Sequence, residues 1–205
     1  MVGGLLLVLA ASATWAEDTV RVRGTIERVE GKTLVVKSRD GGEVKVVPAD
    51  NAAVVGIVKA SLSDIKPGSF VGVTGMPQAD GSQKAVEVHI FPEAMRGTGE
   101  GHRQWDLQPQ STMTNANVAQ STMTNANVEK TVAGVDGRTL TLKYKDGEKK
   151  IVVPPDIPVV SFVPGDKSEL KPGVKIFVAA ATQAPDGTLQ APRVNFGKDG
   201  LTPPM

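Results

Sequence analysis

The chain has 205 residues, with 23 basic and 22 acidic side chains and a formal net charge of +1. Such a balance gives no positive field that would attract a polyanion, so we expect no nucleic-acid binding. The absence of cysteine excludes disulfide bonds, thiol catalysis and a cysteine-linked lipid anchor.

The amino terminus has the pattern of an export signal. Residues 1–16 carry no charged side chain and contain an apolar run at 5–10, followed by Ala11-Ser-Ala13. The run is too short to span a bilayer, and small residues after it are typical of a signal-peptidase site. We therefore predict residues 1–16 as a signal peptide. We expect a periplasmic or secreted mature chain without a transmembrane span.

Two copies of one module make up most of the remaining chain. The segment VEGKTLVVK at Val29 recurs as VDGRTLTLK at Val135, an offset of 106 residues (135 minus 29). Later matches include Ile65-Lys-Pro-Gly with Leu170-Lys-Pro-Gly. The shared positions are turn residues and apolar strand positions, so the repeat specifies a fold and indicates no chemistry. The sequence predicts modules at 19–92 and 128–197.

Each module predicts the same order of elements. Alternation with period two indicates strands, and pairs such as Asp40-Gly41 are typical of the turns between them. Ser61 is predicted to cap a helix of about one turn, which ends at Pro67-Gly68. Two further strands follow. In the second copy the strands are predicted near 130–135, 139–144, 149–153, 175–180 and 190–195.

Three strands, a short helix and two strands is the order of the OB-fold, a five-stranded barrel. We predict an all-β fold with two tandem OB-like barrels; a β-sandwich of short hairpins has a similar order. Comparison of the copies also predicts which side chains face a core. Leu34 and Val36 match Leu140 and Leu142 and are expected to point inward. Val35 matches a threonine and is expected to face solvent.

The segment between the modules has a different composition. QSTMTNANV occurs at 110–118 and, unchanged, at 120–128. Because it is polar and has little to bury, we predict residues 93–127 as a linker, with a binding role as the alternative. Residues 198–205 are expected to form a loose tail.

These motifs, VxGxTLxxK, DG, LKPG and a second DG, resemble a family of exported bacterial domains of unknown function with tandem OB-like β domains. Some relatives carry the label of metal-transporter permease. A permease needs several apolar membrane helices, whereas this chain has one short apolar run and otherwise alternating strands. The resemblance implies a compartment and a fold and no reaction.

Both histidines of the chain lie where the two copies differ. His89, Glu93 and His102 are candidate ligands for a divalent metal, because imidazole and carboxylate groups suit such ions. No tight ligand spacing supports this site. The alternative is that His89 is a solvent-facing strand residue and that the segment after it is a surface loop.

No motif supplies a catalytic nucleophile, so we predict no enzyme activity. Trp105 is expected to cover a barrel opening with the linker as anchor, and a ligand-stacking role is the alternative. The sequence thus predicts an exported, non-catalytic binding or scaffolding protein without a cofactor, whose partner is a periplasmic protein, a glycan or a small ligand. The alternative hypothesis is that the chain is a periplasmic divalent-metal-binding or metal-transport accessory protein that uses the segment from His89 to His102.

Overall fold

The computed structural model describes residues 19–124 and 137–205, and this part of the chain is all-β, as the sequence predicts. The predicted signal peptide and the predicted strand near 130–135 lie outside the described residues. The described strands are β1 (Thr19–Glu30), β2 (Thr33–Ser38), β3 (Glu43–Lys59), β4 (Phe70–Pro77), β5 (Gln83–Phe91), β6 (Gly101–Gln104), β7 (Thr112–Thr124), β8 (Gly137–Tyr144), β9 (Gly147–Val153), β10 (Val159–Pro164), β11 (Lys175–Gln183) and β12 (Leu189–Gly197). Single helical turns occur at Leu62–Asp64, Glu93–Met95, Lys167–Glu169 and Lys198–Gly200.

A closed five-stranded barrel combines strands from both copies. Strands β1, β2 and β3 come from the first copy, and β11 and β12 come from the second. β11 pairs antiparallel with β1, and β12 runs parallel to β3 and closes the barrel. We call this unit the first barrel.

The remaining long strands form a second unit of mixed origin. β4 and β5 of the first copy pair with β7, β8 and β9, and two residue pairs between β5 and β9 connect the ends of this set. We call it the second ring. Two barrels in tandem, one for each copy, are therefore not what the pairing shows. The copies at 19–92 and 128–197 have instead exchanged their last two strands.

An antiparallel pairing of β3 with β10 connects the two units. Ile57 lies opposite Phe162, and these residues are equivalent in the two copies at an offset of 105 (162 minus 57). Equivalent residues that face each other indicate an approximate twofold axis at this pair. Ile57 and Phe162 are both buried, together with Val55, Val160 and Phe177, in a small core between the units.

A capped helical turn precedes each crossing of the chain from one unit to the other. The Ser61 hydroxyl accepts from the amide of Ser63, and the Asp64 carboxylate accepts from the amide of Ser61. Asp166 and Glu169 form the same capping box in the second copy. The cap predicted at Ser61 is confirmed, and its repetition shows that both crossings begin with the same local structure.

The Lys-Pro-Gly turns then attach the chain to the opposite unit. Gly68 and Gly173 have φ values of 86° and 87°, which favour glycine. The amide of Gly173 donates to Ile26 O at 2.7 Å, and the amide of Gly68 donates to Val118 O at 2.8 Å. Val118 therefore holds the position in the second ring that Ile26 holds in the first barrel.

The expected linker at 93–127 thus includes structural strands. β7 pairs with β4 on one side and with β8 on the other. Ala116 and Val118 are buried in the core of the second ring, and the Thr112 hydroxyl donates to Gln83 Oε1 at 3.0 Å. The polar composition was misleading because these hydroxyl and amide groups find hydrogen-bond partners inside the sheet.

Core positions follow the comparison of the copies, with one exception. Leu34 and Val36 lie in the core of the first barrel, and Leu140 and Leu142 lie in that of the second ring, as predicted. Val35 was expected to face solvent, and this was wrong because it is fully buried on the opposite face of β2.

Candidate functional site: the cavity between the two units

A cavity of about 220 Å³ lies between the outer faces of the first barrel and the second ring. We call it the inter-ring cavity. Strands β5 and β7 supply one wall, β10, β11 and β12 supply the other, and the segment around β6 lies across them. Its lining is rich in aromatic and sulfur-containing side chains, namely Phe91, Phe162, Phe177, Trp105, Met95, Met113 and Met205.

A glycine on β4 makes room beside the cavity. Gly72 pairs with His89 on β5 and with Asn115 on β7, so these two side chains flank a position that has none. A Cβ atom on Gly72 would lie 2.7 Å from Asn115 Oδ1 and 3.0 Å from Phe91 Cε2. A larger residue would push the asparagine and the phenylalanine away from their places.

Three aromatic rings form a contiguous wall. The centroid of Phe162 lies 4.9 Å from that of Phe91 and 5.9 Å from the centroid of the His89 ring, which it meets edge-on. Such spacings are favourable for aromatic pairs. His89 is 3% exposed, because Phe162 from the other copy covers this face of β5. The expectation that His89 faces solvent was therefore wrong.

Trp105 completes the wall on the opposite side. Its ring meets Phe177 edge-on at 6.3 Å, and the Arg21 guanidinium lies 4.2 Å from the ring centroid. The backbone amide of Trp105 donates to Ser111 O at 2.8 Å, which connects the segment after β6 to the start of β7. The indole therefore borders the cavity and also forms a cation–π contact with Arg21.

Several buried polar atoms at this site form no hydrogen bond with the described protein. They include Trp105 Nε1, Asn115 Oδ1 and His89 Nε2. His89 Nε2 lies 3.3 Å from Glu87 Oε1, but the pair lacks hydrogen-bond geometry. A buried polar group without a partner costs about 1–3 kcal/mol. The cavity thus concentrates hydrogen-bonding capacity that the protein leaves unused.

A buried carboxyl group, that of Glu87, lies next to His89. Glu87 is 1% exposed, and its Oε1 accepts a hydrogen bond from the Thr74 hydroxyl. Its other oxygen has no partner among the described residues. The group does not line the cavity, and its Oε1 lies 3.3 Å from His89 Nε2.

The charge around Trp105 is mostly positive. Asp106 binds Arg23 through both carboxylate oxygens, at 2.7 and 3.2 Å, and lies 3.5 Å from Arg21. The hydrogen bond from Arg23 lowers the pKa of Asp106. Burial, and then the charge of Arg21, lower the pKa of Arg103. Arg193 also lines the cavity, from β12.

A second recess, of about 390 Å³, lies beside the last residues of the chain. Its cationic lining residues are Arg23, Lys37, Arg39 and Lys175. No buried unpartnered polar atom belongs to a residue that lines it. The inter-ring cavity is therefore the stronger candidate for a binding site.

The three candidate metal ligands do not meet. His89 lies on β5 and His102 on β6, with β4 and β7 between them, roughly 14 Å along the sheet at about 4.8 Å per strand spacing. Glu93 is exposed and pairs with Arg96 at 2.6 Å. His102 Nδ1 lies 2.8 Å from the Thr114 hydroxyl. Within 19–124 and 137–205, no group of three His, Asp or Glu residues is arranged to hold a metal ion.

Sequence reasoning found Trp105 and His89 but missed the residues that face them. The useful signal is the difference between the copies at equivalent positions on β5 and β12. Glu87 and His89 correspond to Arg193 and Asn195 at the offset of 106. All four side chains lie on faces that the exchange of strands brings toward the junction between the units. Without knowledge of the strand pairing, the sequence predicts only that these four side chains face outward from their strands.

No family model, no curated protein and no solved structure matches this chain. In the part of the chain that the structure describes, no helix has the length and apolar character needed to cross a bilayer.

Proposed function

We propose that the protein is a non-catalytic binding protein that takes a small, mainly apolar ligand into the inter-ring cavity. The observation that carries this proposal is the combination of an aromatic and methionine-rich lining with three buried polar atoms that lack partners. Binding sites for small molecules typically have an apolar lining and a few polar groups that orient the ligand.

The size of the cavity limits the ligand. Its volume of about 220 Å³ lies below the usual range for drug-sized molecules, which is roughly 300–1,000 Å³. A molecule with one or two fused rings fits this space. Rings of that kind would stack against Phe162, Phe91 or Trp105, and a polar substituent would reach Asn115 or the indole N–H.

The compartment is part of the proposal. An apolar run at 5–10 with small residues after it supports export and action in the periplasm after removal of the signal. The resemblance to exported domains favours the same location. Mass spectrometry of the periplasmic fraction tests this point, because a mature amino terminus near residue 17 is expected and an intact amino terminus in the cytoplasm contradicts it.

Titration with a neutral bicyclic probe, 2-naphthamide, tests the binding function. Isothermal calorimetry on the protein should show saturable binding. Ala179 is exposed at the edge of the cavity, and Ala180 beside it is exposed without lining it. Ala179→Phe should therefore weaken binding at least tenfold, whereas the matched control Ala180→Phe should leave it unchanged. Equal effects of the two variants would place the probe elsewhere.

A further inference from the structure

We infer that the ligand of the inter-ring cavity carries a carboxylate, which Arg193 and Arg103 receive at its edge. This inference rests on the proposed function and adds the chemical class of the ligand. It follows from the charges of the lining and from the partners that these charges lack.

The lining contains cationic side chains and no acidic one. Arg103 and Arg193 both border the cavity, and no Asp or Glu is among its lining residues. Partly buried guanidinium groups normally find a carboxylate or several carbonyl oxygens. Met205 also lines the cavity, and its terminal oxygen already accepts from Arg23 Nε at 2.5 Å. A cavity with two guanidinium groups and no acidic side chain among its described lining residues favours an anion.

The guanidinium group of Arg193 has no partner among the described residues. Arg193 is half-buried on β12, where its backbone lies opposite Ala53, but none of the side-chain hydrogen bonds or ion pairs in residues 19–124 and 137–205 involves its guanidinium group. Arg103 donates a single hydrogen bond, to Gly99 O at 2.7 Å, and lies 5.6 Å from the centroid of Trp105. Both guanidinium groups therefore keep donors for a ligand.

The carboxylate that follows Trp105 in the sequence already has partners. Asp106 binds Arg23 with both oxygens and has Arg21 at 3.5 Å. The residue equivalent to Arg193 in the other copy is Glu87, which is buried and accepts from Thr74. Neither acidic side chain pairs with Arg103 or Arg193, so no carboxylate in the described part of the chain neutralises these two cations.

A carboxylate suits this arrangement better than a spherical anion. The planar guanidinium group forms two parallel hydrogen bonds with a carboxylate, and the apolar wall beside it suits a flat ring. Asn115, whose amide donates to Thr98 O at 3.0 Å, keeps a free carbonyl for a donor on the ligand. The expected ligand is a small aromatic or cyclic acid.

A matched pair of probes tests the charge separately from the shape. 2-Naphthoate and 2-naphthamide have almost the same size and differ in charge. By calorimetry on the protein, we expect the acid to bind about tenfold more tightly, as charge-assisted hydrogen bonds at a half-exposed site allow. Arg193→Met should reduce this preference, measured as the ratio of the two dissociation constants, to within about twofold. Arg39→Met, at an exposed arginine that does not line the cavity, is the control and should keep the full preference.

The outcomes separate the two proposals. Equal or tighter binding of the amide would overturn the inference about charge and leave the binding function standing. A preference for the acid that survives Arg193→Met would also overturn it, because another group would then receive the anion. If neither probe binds, the proposed function fails, and the inference fails with it.

Discussion

A disulfide between β1 and β11 should form within one chain if the copies have exchanged their last strands. Thr25 lies opposite Lys175 in the pairing of these strands, and opposite residues have Cβ atoms about 4.5–5.5 Å apart, close to the span of a disulfide. The chain has no cysteine, so Thr25→Cys/Lys175→Cys introduces a single pair of thiols. In two tandem barrels the partner of Thr25 would instead be Phe70, which is equivalent to Lys175 at the offset of 105 (175 minus 70) that relates Gly68 to Gly173.

The expected gain in stability follows from the length of chain that the bond closes. A loop of about 150 residues corresponds to roughly 5 kcal/mol in the chain-entropy account, and strain in the native geometry reduces this figure. Urea denaturation of the oxidised and reduced variant should therefore differ by at least about 2 kcal/mol. Electrophoresis without reductant should show a monomer of altered mobility.

The matched control is Thr25→Cys/Phe70→Cys, which should stay reduced under the same mild oxidation. Phe70 belongs to the second ring, where it lies opposite Asn117 on β7. Efficient oxidation of this control, with little oxidation of the first variant, would show that each copy forms its own barrel and would refute the exchange. A disulfide-linked dimer of the first variant would show that the strands exchange between chains.

Two further predictions concern β7 and the pH dependence of stability. Ala116 is fully buried in the second ring, so Ala116→Asp should destabilise the protein by more than about 3 kcal/mol. Ala119 on the same strand is exposed and provides the matched control Ala119→Asp, and equal losses in urea denaturation would contradict the assignment of Ala116 to the core. Burial, followed by the charges of Lys149 and Arg103, lowers the pKa of His102. Since the unfolded chain then binds more protons, the contribution of this group to stability is present above a pH of about 6.5 and is lost as the pH falls below it. Thermal unfolding from pH 8 to 5 should show this loss, and His102→Gln should flatten the curve in that range; an identical curve for the variant would assign the dependence to other groups.

The positions of the strands could be predicted because they depend on local signals. Alternation and Asp-Gly pairs located the strand predicted at 139–144, which the structure has as β8. The capping residues at Ser61 and Asp64 located the helical turn for the same reason. A turn or a cap requires only residues that are neighbours in the sequence, so a single chain contains the whole signal.

The partners of the strands could not be predicted because the two copies offer nearly equivalent surfaces. Ile65 and Leu170 have the same role in their turns, yet they are buried in different units. Leu170 lies in the core of the first barrel, and Ile65 lies in the core of the second ring. The same apolar positions in both copies satisfy either arrangement. The choice depends on the path of the chain between β3 and β4, which local patterns do not encode.

The candidate site was hidden for the same reason. His89 is buried, and Phe162 from the other copy packs edge-on against its ring. Asn115 belongs to a segment whose composition indicated a linker, although its side chain flanks Gly72 on the cavity wall. Side chains that meet across an exchange of strands have no pattern of their own in the sequence.

The indole N–H signal of Trp105 in an NMR titration tests the binding site most directly. Without residues 1–16, Trp105 is the single tryptophan of the chain, and its Nε1 is buried without a partner. Addition of 2-naphthoate should move this signal in a saturable way, together with the side-chain amide signals of Asn115. Saturable binding that leaves both signals in place would show that the ligand lies outside the inter-ring cavity and would contradict the account.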